Sequence, residues 1–281
     1  MKKIFALLVA FMMILATGCG SQSGDKPPEA EKVRLGMITR LNVSEENFGE
    51  LMKKVEETLN VNIASHTPVF FDDLNSMQMA LQSGQIAEMS TYRSVARYII
   101  AKDPRFEVLN DHSLEFIDSF CFALRDDETE LRDSLNLVIR EMQTDGTLDR
   151  LTKEYITDIS AEKDPPAVEL PRFENAPTIK VAVTGDLPPF DFVGADGKPA
   201  GFTTAVLAEI GKRMLRNIEI VDIDAGARAA ALTSKQVDVV FWAIVPMSEI
   251  IPSDSDSPKG VILTAPYFKD KIVHLTFVDK K

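Results

Sequence analysis

Side chains able to act as acid, base, nucleophile or metal ligand are sparse in this chain. It has three histidines among 281 residues, His66, His112 and His274. None stands in an HExxH pair, in a Ser/His/Asp arrangement or beside paired carboxylates. The two cysteines, Cys19 and Cys121, form no CxxC or Cys/His zinc spacing. Cys121 sits in the run FIDSFCFAL and is expected to be a small buried hydrophobe. Neither an enzyme nor a cofactor or metal is therefore expected. Acidic residues outnumber basic ones 43 to 31, for a net charge of −12, with no basic stripe or RNP motif. That balance argues against nucleic acid as a partner.

Cys19 invites a different chemistry. Lys2 and Lys3 precede an unbroken apolar run from Ile4 to Ala16, too short to span a bilayer comfortably but suited to a signal h-region. The run ends in LATGCG, which resembles a bacterial lipobox, although Ala16 stands where Leu is commoner. The resemblance implies that residues 1–19 are a lipoprotein signal peptide and that Cys19 is lipidated. The alternative is an ordinary secretory signal with a chance cysteine. Residues 20–32 are Pro-, Gly-, Ser- and charge-rich and read as a flexible tether. The expected location is extracytoplasmic, on the cell membrane through the lipid alone. With one other thiol, no intramolecular disulfide is expected.

The elements that must position any site alternate between strand and helix. VRLGMI (33–38) reads as a strand, Ser44–Leu59 as an amphipathic helix, and Val61–Ala64 as a strand. Leu74–Leu81 reads as a helix, and a strand follows near Ile86–Met89. FIDSFCFALR reads as a further strand, followed by a helical stripe at Leu131, Leu135, Val138 and Met142. Residues 161–177 contain four prolines and no period, hence a linker. The same grammar restarts after it: a strand at 178–185, a helix at Thr203–Met214, a strand at 218–223, and the strand VDVVFWAIV. The expected organisation is a first α/β lobe at 33–160, a linker at 161–177 and a second lobe at 178–281. Both lobes should carry mainly parallel sheets. One echo ties the halves together, ALQSGQIAEM at 80–89 and ALTSKQVDVV at 231–240.

The segment IKVAVTGDLPPFDFVGADGKPAGFTTAVLAEIGKRM resembles the opening lobe of the type 3 bacterial extracellular solute-binding proteins of amino-acid ABC transporters. So do the A-A-L-x-S-x-x-V-D-V-V step and TAPYF (264–268). The stretch FCFALRDDETELRDSLNLVIREMQTDGTLDRLTKEYI is similar to that family's other lobe and C-terminal tail. The resemblance covers nearly all of residues 33–281. It implies an α/β, type II periplasmic-binding-protein fold of two lobes with a hinge. The lobes stand in reversed order, which implies a circular permutation; the alternative is two unrelated fused fragments.

In such proteins the ligand binds between the lobes, at strand C-terminal ends and helix N-termini. The resemblance places Asp186, Phe190, Thr203, Trp242, Tyr92, Arg93, Thr39 and Arg40 near that cleft. Phe190 and Trp242 are either pocket walls or core packing. Arg40 and Arg93 are either anion clamps or solvated surface. Asp238 is expected to be structural. The family's Thr-Pro-Glu-Arg stretch aligns with Met247-Ser248-Glu249-Ile250, so its carboxylate-binding Arg is missing. The acid of its Gly-Phe-Asp-x-Asp helix start is replaced in Gly201-Phe202-Thr203-Thr204-Ala205. Its amine-binding Asp aligns with Tyr92. These departures remove the charge-assisted contacts of an α-amino acid. The function implied is a monomeric solute-binding lipoprotein that delivers a small polar ligand, an amino acid or related metabolite, to an ABC permease. The alternatives are a sensory or interaction lipoprotein that has lost the site, and a dehydratase-like enzyme on the same fold.

Overall fold

The structure, a computed structural model, describes residues 32–42, 45–59, 66–109, 116–160, 165–194, 196–247 and 251–278. Residues 1–19, where a signal peptide ending at Cys19 is expected, and His112, Val61–Ala64 and Ser248–Ile250 lie outside these residues. The first half of the described chain runs β1 (Val33–Ile38), α1 (Glu45–Leu59), β2 (His66–Phe71), α2 (Leu74–Gln82), β3 (Glu88–Tyr92), α3 (Arg93–Lys102) and β4 (Phe106–Val108). Then come β5 (Ile117–Arg125), α4 (Thr129–Thr144) and α5 (Thr147–Thr152), which continues into a π-helical turn at Lys153–Thr157. After the linker come β6 (Thr178–Val183), β7 (Asp186–Leu187), β8 (Asp191–Val193), β9 (Pro199–Ala200), α6 (Phe202–Met214) and β10 (Asn217–Asp222). The chain closes with α7 (Arg228–Thr233), β11 (Val239–Pro246), β12 (Val261–Leu263) and β13 (Phe268–Phe277).

The α/β class is the one expected. The spatial order is β10-β6-β11-β5-β13-β3-β1-β2, with β12 on β5 and β4 on β13, and β7-β8-β9 form a small separate sheet. β2, β1 and β3 are parallel, as are β10, β6 and β11. The two parallel regions meet through an antiparallel pair. Phe268–Lys271 of β13 pair with β5, and Ile272–Leu275 then pair with β3. β5 in turn pairs along β11. The chain thus passes between the lobes along β5 and β13, not at the Pro-rich linker. α4 and α5 pack on α6 of the second half.

Local sequence explains most elements. Asp73 caps α2 by accepting from Ser76 N at 2.7 Å, and Leu74, Met77, Ala80 and Leu81 bury one face. β2 contains Pro68, which removes a ladder donor, and β2 accordingly lies at the sheet edge. β3 begins at Glu88, later than the expected Ile86, because Ile86 N is taken by Ala80 O in the preceding turn. Residues 165–177 carry only an isolated bridge, Ala167 to Ala200. Pro171 of this linker packs tightly on α6: a Cβ on Gly211 would come within 2.9 Å of the Pro171 ring.

The echo is one hydrogen-bonded step made twice. Ser83 Oγ donates to Ala80 O and Ser234 Oγ to Ala231 O, both at 3.2 Å. Gly84 N donates to Leu81 O and Lys235 N to Leu232 O, both at 3.2 Å, with φ of +73° and +63°. Ala87 N then joins Arg34 O of β1, as Asp238 N joins Lys180 O of β6, both at 2.9 Å. Asp238 also accepts from Lys180 N at 2.9 Å and lies 3.5 Å from Arg125 Nη2, which makes it structural as expected. Cys121 is buried and free, and burial pushes its thiol up to about 12.

Candidate functional site

The C-terminal ends of the two sets of parallel strands face one another, and the segments following them meet. After β1, Thr39 O accepts from Arg228 Nη2 at 3.0 Å, and Asn42 N donates to Asp256 Oδ1 at 3.0 Å. After β2, Asp72 accepts from Gly226 N at 3.1 Å through its carboxylate and from Ala225 N at 3.3 Å through its carbonyl. Leu74 N, in the first turn of α2, donates to Asp186 Oδ2 at 2.6 Å. A carboxylate at a helix N-terminus is favoured by the free N–H groups and the dipole there. Burial pushes Asp186 up from its ordinary value, and the Leu74 bond opposes that shift. Between these contacts remains a cavity of about 20 Å³, lined by Arg40, Tyr92, Leu187 and Trp242 among others. That volume holds about one water.

Two buried charge groups frame the cavity. Tyr92 donates to Asp118 Oδ2 at 2.8 Å and Arg40 approaches the same oxygen at 3.4 Å. Burial, followed by the Asp118 charge, holds the Tyr92 phenol well above its ordinary value. Burial works against the Arg40 charge, but Tyr92, Asp118 and Asp256 outweigh it and raise Arg40 overall. Arg228 is different. It is 0% exposed. It donates to Ala225 O, Trp242 O and Thr39 O at 3.0–3.1 Å, and its guanidinium lies 4.9 Å from the Trp242 ring centroid. Among the described residues no carboxylate reaches it within ion-pair distance, and burial lowers its pKa. Trp242 Nε1 is buried and has no partner among the described residues. Trp242 lies in a bulge of β11 between Val240 and Ala243, which gives that strand one residue more than β5.

Comparison with known proteins bears on this cleft. Residues 179–249 match the family model of bacterial extracellular solute-binding proteins, family 3. The match takes in about a quarter of the chain. It spans β6 to β11, the strands and loops that supply Asp186, Arg228 and Trp242. No curated protein matches the chain. Among solved structures, the chain is similar to the ligand-binding component of an ABC-type import system from Staphylococcus aureus with zinc bound. That match has 10% identity and a TM-score of 0.45, covering 88% of this chain and 66% of that one. The GluR0 ligand-binding core from Nostoc punctiforme with L-glutamate matches at 10% identity and TM-score 0.37, covering 88% and 85%. A nutrient-binding protein from Burkholderia cenocepacia bound to methionine matches at 11% identity and TM-score 0.38, covering 88% and 87%. At these scores the ligands are properties of those proteins alone.

Within the matched segment and its facing lobe, the residues singled out from sequence divide into three groups. Tyr92, Trp242 and Arg40 line the cavity. Asp186 and Thr39 bridge the lobes, Thr39 also donating from N and Oγ1 to Phe71 O at 2.8 and 3.1 Å. Phe190, Thr203 and Arg93 lie elsewhere. Phe190 is 0% exposed and stands behind Tyr92 in an aromatic cluster with Phe120, Phe202 and Phe268, as core packing. Thr203 is likewise fully buried, in the first turn of α6. Arg93 is exposed on α3. Sequence reasoning missed Arg228, Asp72, Asp118 and Asp256. For Arg228 a signal existed: a lone charge inside the small-residue run AGARAAAL.

Proposed function

We propose that the chain is an extracytoplasmic solute-binding lipoprotein, anchored through Cys19, that presents a small polar or anionic ligand to an ABC permease. The observation that carries this reading is Arg228, a guanidinium wholly buried at the lobe boundary whose hydrogen bonds all go to neutral carbonyls, with Asp256 and Asp191 near it but in no direct ion pair. A buried cation is costly unless a counter-charge compensates it. A ligand carboxylate or comparable anion would supply that charge, in place of the Arg absent from Met247–Ile250. The orphan indole N–H of Trp242 offers a second donor in the same region. With only about 20 Å³ open, ligand entry requires the lobes to part about β5 and β13.

The test is a thermal-shift screen of the purified mature chain against amino acids, amines, peptides and small anions. A ligand specific to the native state raises Tm by mass action. An anionic compound is expected to raise Tm in the wild type and to lose that effect in Arg228→Gln. A panel that moves nothing overturns the transport reading. It would favour the second one, an interaction or sensory lipoprotein with a self-occupied cleft, which the Asp186–Leu74 and Asp72–Gly226 contacts favour.

The reversed lobe order is read as a circular permutation. Supporting it, the two described ends lie at the same end of β1 and β13, the two strands that flank β3. Thr276 Oγ1 donates to Ala87 O at 3.4 Å, and Ala87 N donates to Arg34 O at 2.9 Å. Close termini tolerate rejoining. A chain opened within 165–177 and joined from 278 to 33 by a short Gly/Ser linker is expected to fold with native-like circular dichroism. An unfolded product refutes the permutation reading.

A further inference from the structure

At the opposite end of the strands from the cleft, three potential ligand atoms converge. His66 is the first residue of β2, Glu88 the first of β3, and His274 lies near the end of the antiparallel β13. The register puts all three on one face. His66 pairs with Val33 and Glu88 with Leu35, two residues apart on β1, while His274 pairs with Ser90, two beyond Glu88. The side chains meet over β1. His66 Nε2 lies 3.3 Å and His274 Nδ1 2.9 Å from the same oxygen, Glu88 Oε2. The imidazole rings are edge to face, with centroids 5.7 Å apart. Available ligand atoms of all three residues lie within 4.8 Å of one another. The side chains are 18–28% exposed, so a solvated ion can reach them.

We propose that His66, Glu88 and His274 form a zinc site of the His₂Glu type. Two imidazole nitrogens and one carboxylate oxygen suit Zn²⁺, with water completing the tetrahedron. Bonds of about 2.0–2.2 Å at tetrahedral angles set ligand atoms roughly 3.4 Å apart. The His66–Glu88 pair already stands at 3.3 Å, and the His274–Glu88 pair has to widen by about 0.5 Å. That is within a small side-chain rotation on partly exposed residues. The ion would clip the edge strand β2 and the lobe-bridging strand β13 onto β3. The site is independent of the solute reading, because its ligands sit at the strand ends away from Arg228 and Trp242.

The test is titration of the purified mature chain with ZnCl₂, followed by calorimetry and Tm, on wild type, Glu88→Gln and His274→Asn. Wild type is expected to bind one equivalent saturably and to gain Tm. Each substitution is expected to weaken binding at least about tenfold while the Tm in EDTA stays that of wild type. Where a variant's EDTA Tm also falls, Co²⁺ decides, since the intense visible bands of tetrahedral Co²⁺ should appear in wild type and vanish in Glu88→Gln. No saturable binding by wild type overturns the proposal. So does equal affinity in all three proteins, which would place the ion elsewhere.

Discussion

Asp191 offers a sharp test of how the cleft's loop is held. The residue is 1% exposed, and its Oδ2 accepts from Gly185 N at 2.6 Å and from Thr184 N at 3.0 Å. Its Oδ1 is buried with no partner among the described residues. Burial is the main cause that raises the carboxyl to about 7, against the Gly185 bond, which lowers it. A proton on Oδ1 removes the unpaired charge and leaves Oδ2 accepting. The folded chain therefore holds a proton that the unfolded chain releases near pH 4. Because the folded value is raised, the contribution is fully present below about pH 4 and is lost as pH climbs through about 7. Three units correspond to at most roughly 4 kcal/mol. Urea unfolding of wild type and Asp191→Asn at pH 4, 5, 6, 7 and 8 isolates it. Asn cannot ionise, and the burial of its amide adds an offset independent of pH. The raised carboxyls Asp256 and Asp270 slope both curves alike and cancel in the difference, while Asp186, whose charge helps raise Asp191, adds a smaller coupled contribution. Wild type should lose stability relative to Asp191→Asn by several kcal/mol between pH 4 and 8. A flat difference curve, or one of opposite slope, refutes the assignment of a protonated Asp191.

Two further substitutions probe the same framework. Arg228→Ala strips hydrogen bonds from Ala225 O, Trp242 O and Thr39 O and leaves a void beside Trp242. It should cost about 3–5 kcal/mol by chemical denaturation, and a loss below about 1 kcal/mol would mean that the guanidinium is already solvated. Gly201→Ala places a methyl group 2.4 Å from Phe190 O and 2.7 Å from Phe190 C at φ +105°. Because the obstacles are backbone, a loss of at least about 2 kcal/mol is expected, and an unchanged denaturation midpoint would show that the Phe190–Gly201 contact is not formed in solution.

Much of the architecture was legible because it rests on local periodicity. Helix α2 announces itself through Asp73 and its apolar spacing, and the repeated Ala-Leu-x-Ser-x-Gln step proved to be one hydrogen-bonded unit made twice. The spatial border between lobes was not legible. Prolines mark the chain's loosest segment, but the crossings run along β5 and β13, whose apolar residues read as ordinary strand. β2 escaped for a related reason. Pro68 and polar neighbours demote a strand in sequence, yet an edge position tolerates both.

The site was less legible because its charges come from segments distant in the chain. Asp186 was recognised, but its partner is Leu74 N, 112 residues away. Arg40 was left as either an anion clamp or solvated surface; in the fold it approaches Asp118, which also accepts from Tyr92, 78 and 52 positions along. Arg228 was missed, a lone charge in a short Ala-rich helix. Its partners include Trp242 O, in the bulge of β11, and Thr39 O of the facing lobe, neither of them near it in sequence. The missing Arg of Met247–Ile250 and the buried Arg228 therefore have to be weighed together. A cleft that lost its expected cation has another within the same segment, hydrogen-bonded to neutral carbonyls, with Asp256 and Asp191 acting on it from beyond ion-pair distance. Asp186 at the start of α2 shows the complementary half, a carboxylate of the chain itself seated on a helix N-terminus between the lobes. An anionic ligand drawing the lobes together would have to satisfy Arg228 without displacing Asp186, or else take its place on Leu74 N. Asp186→Asn separates these routes, since it should tighten ligand binding only if the carboxylate competes for that helix end.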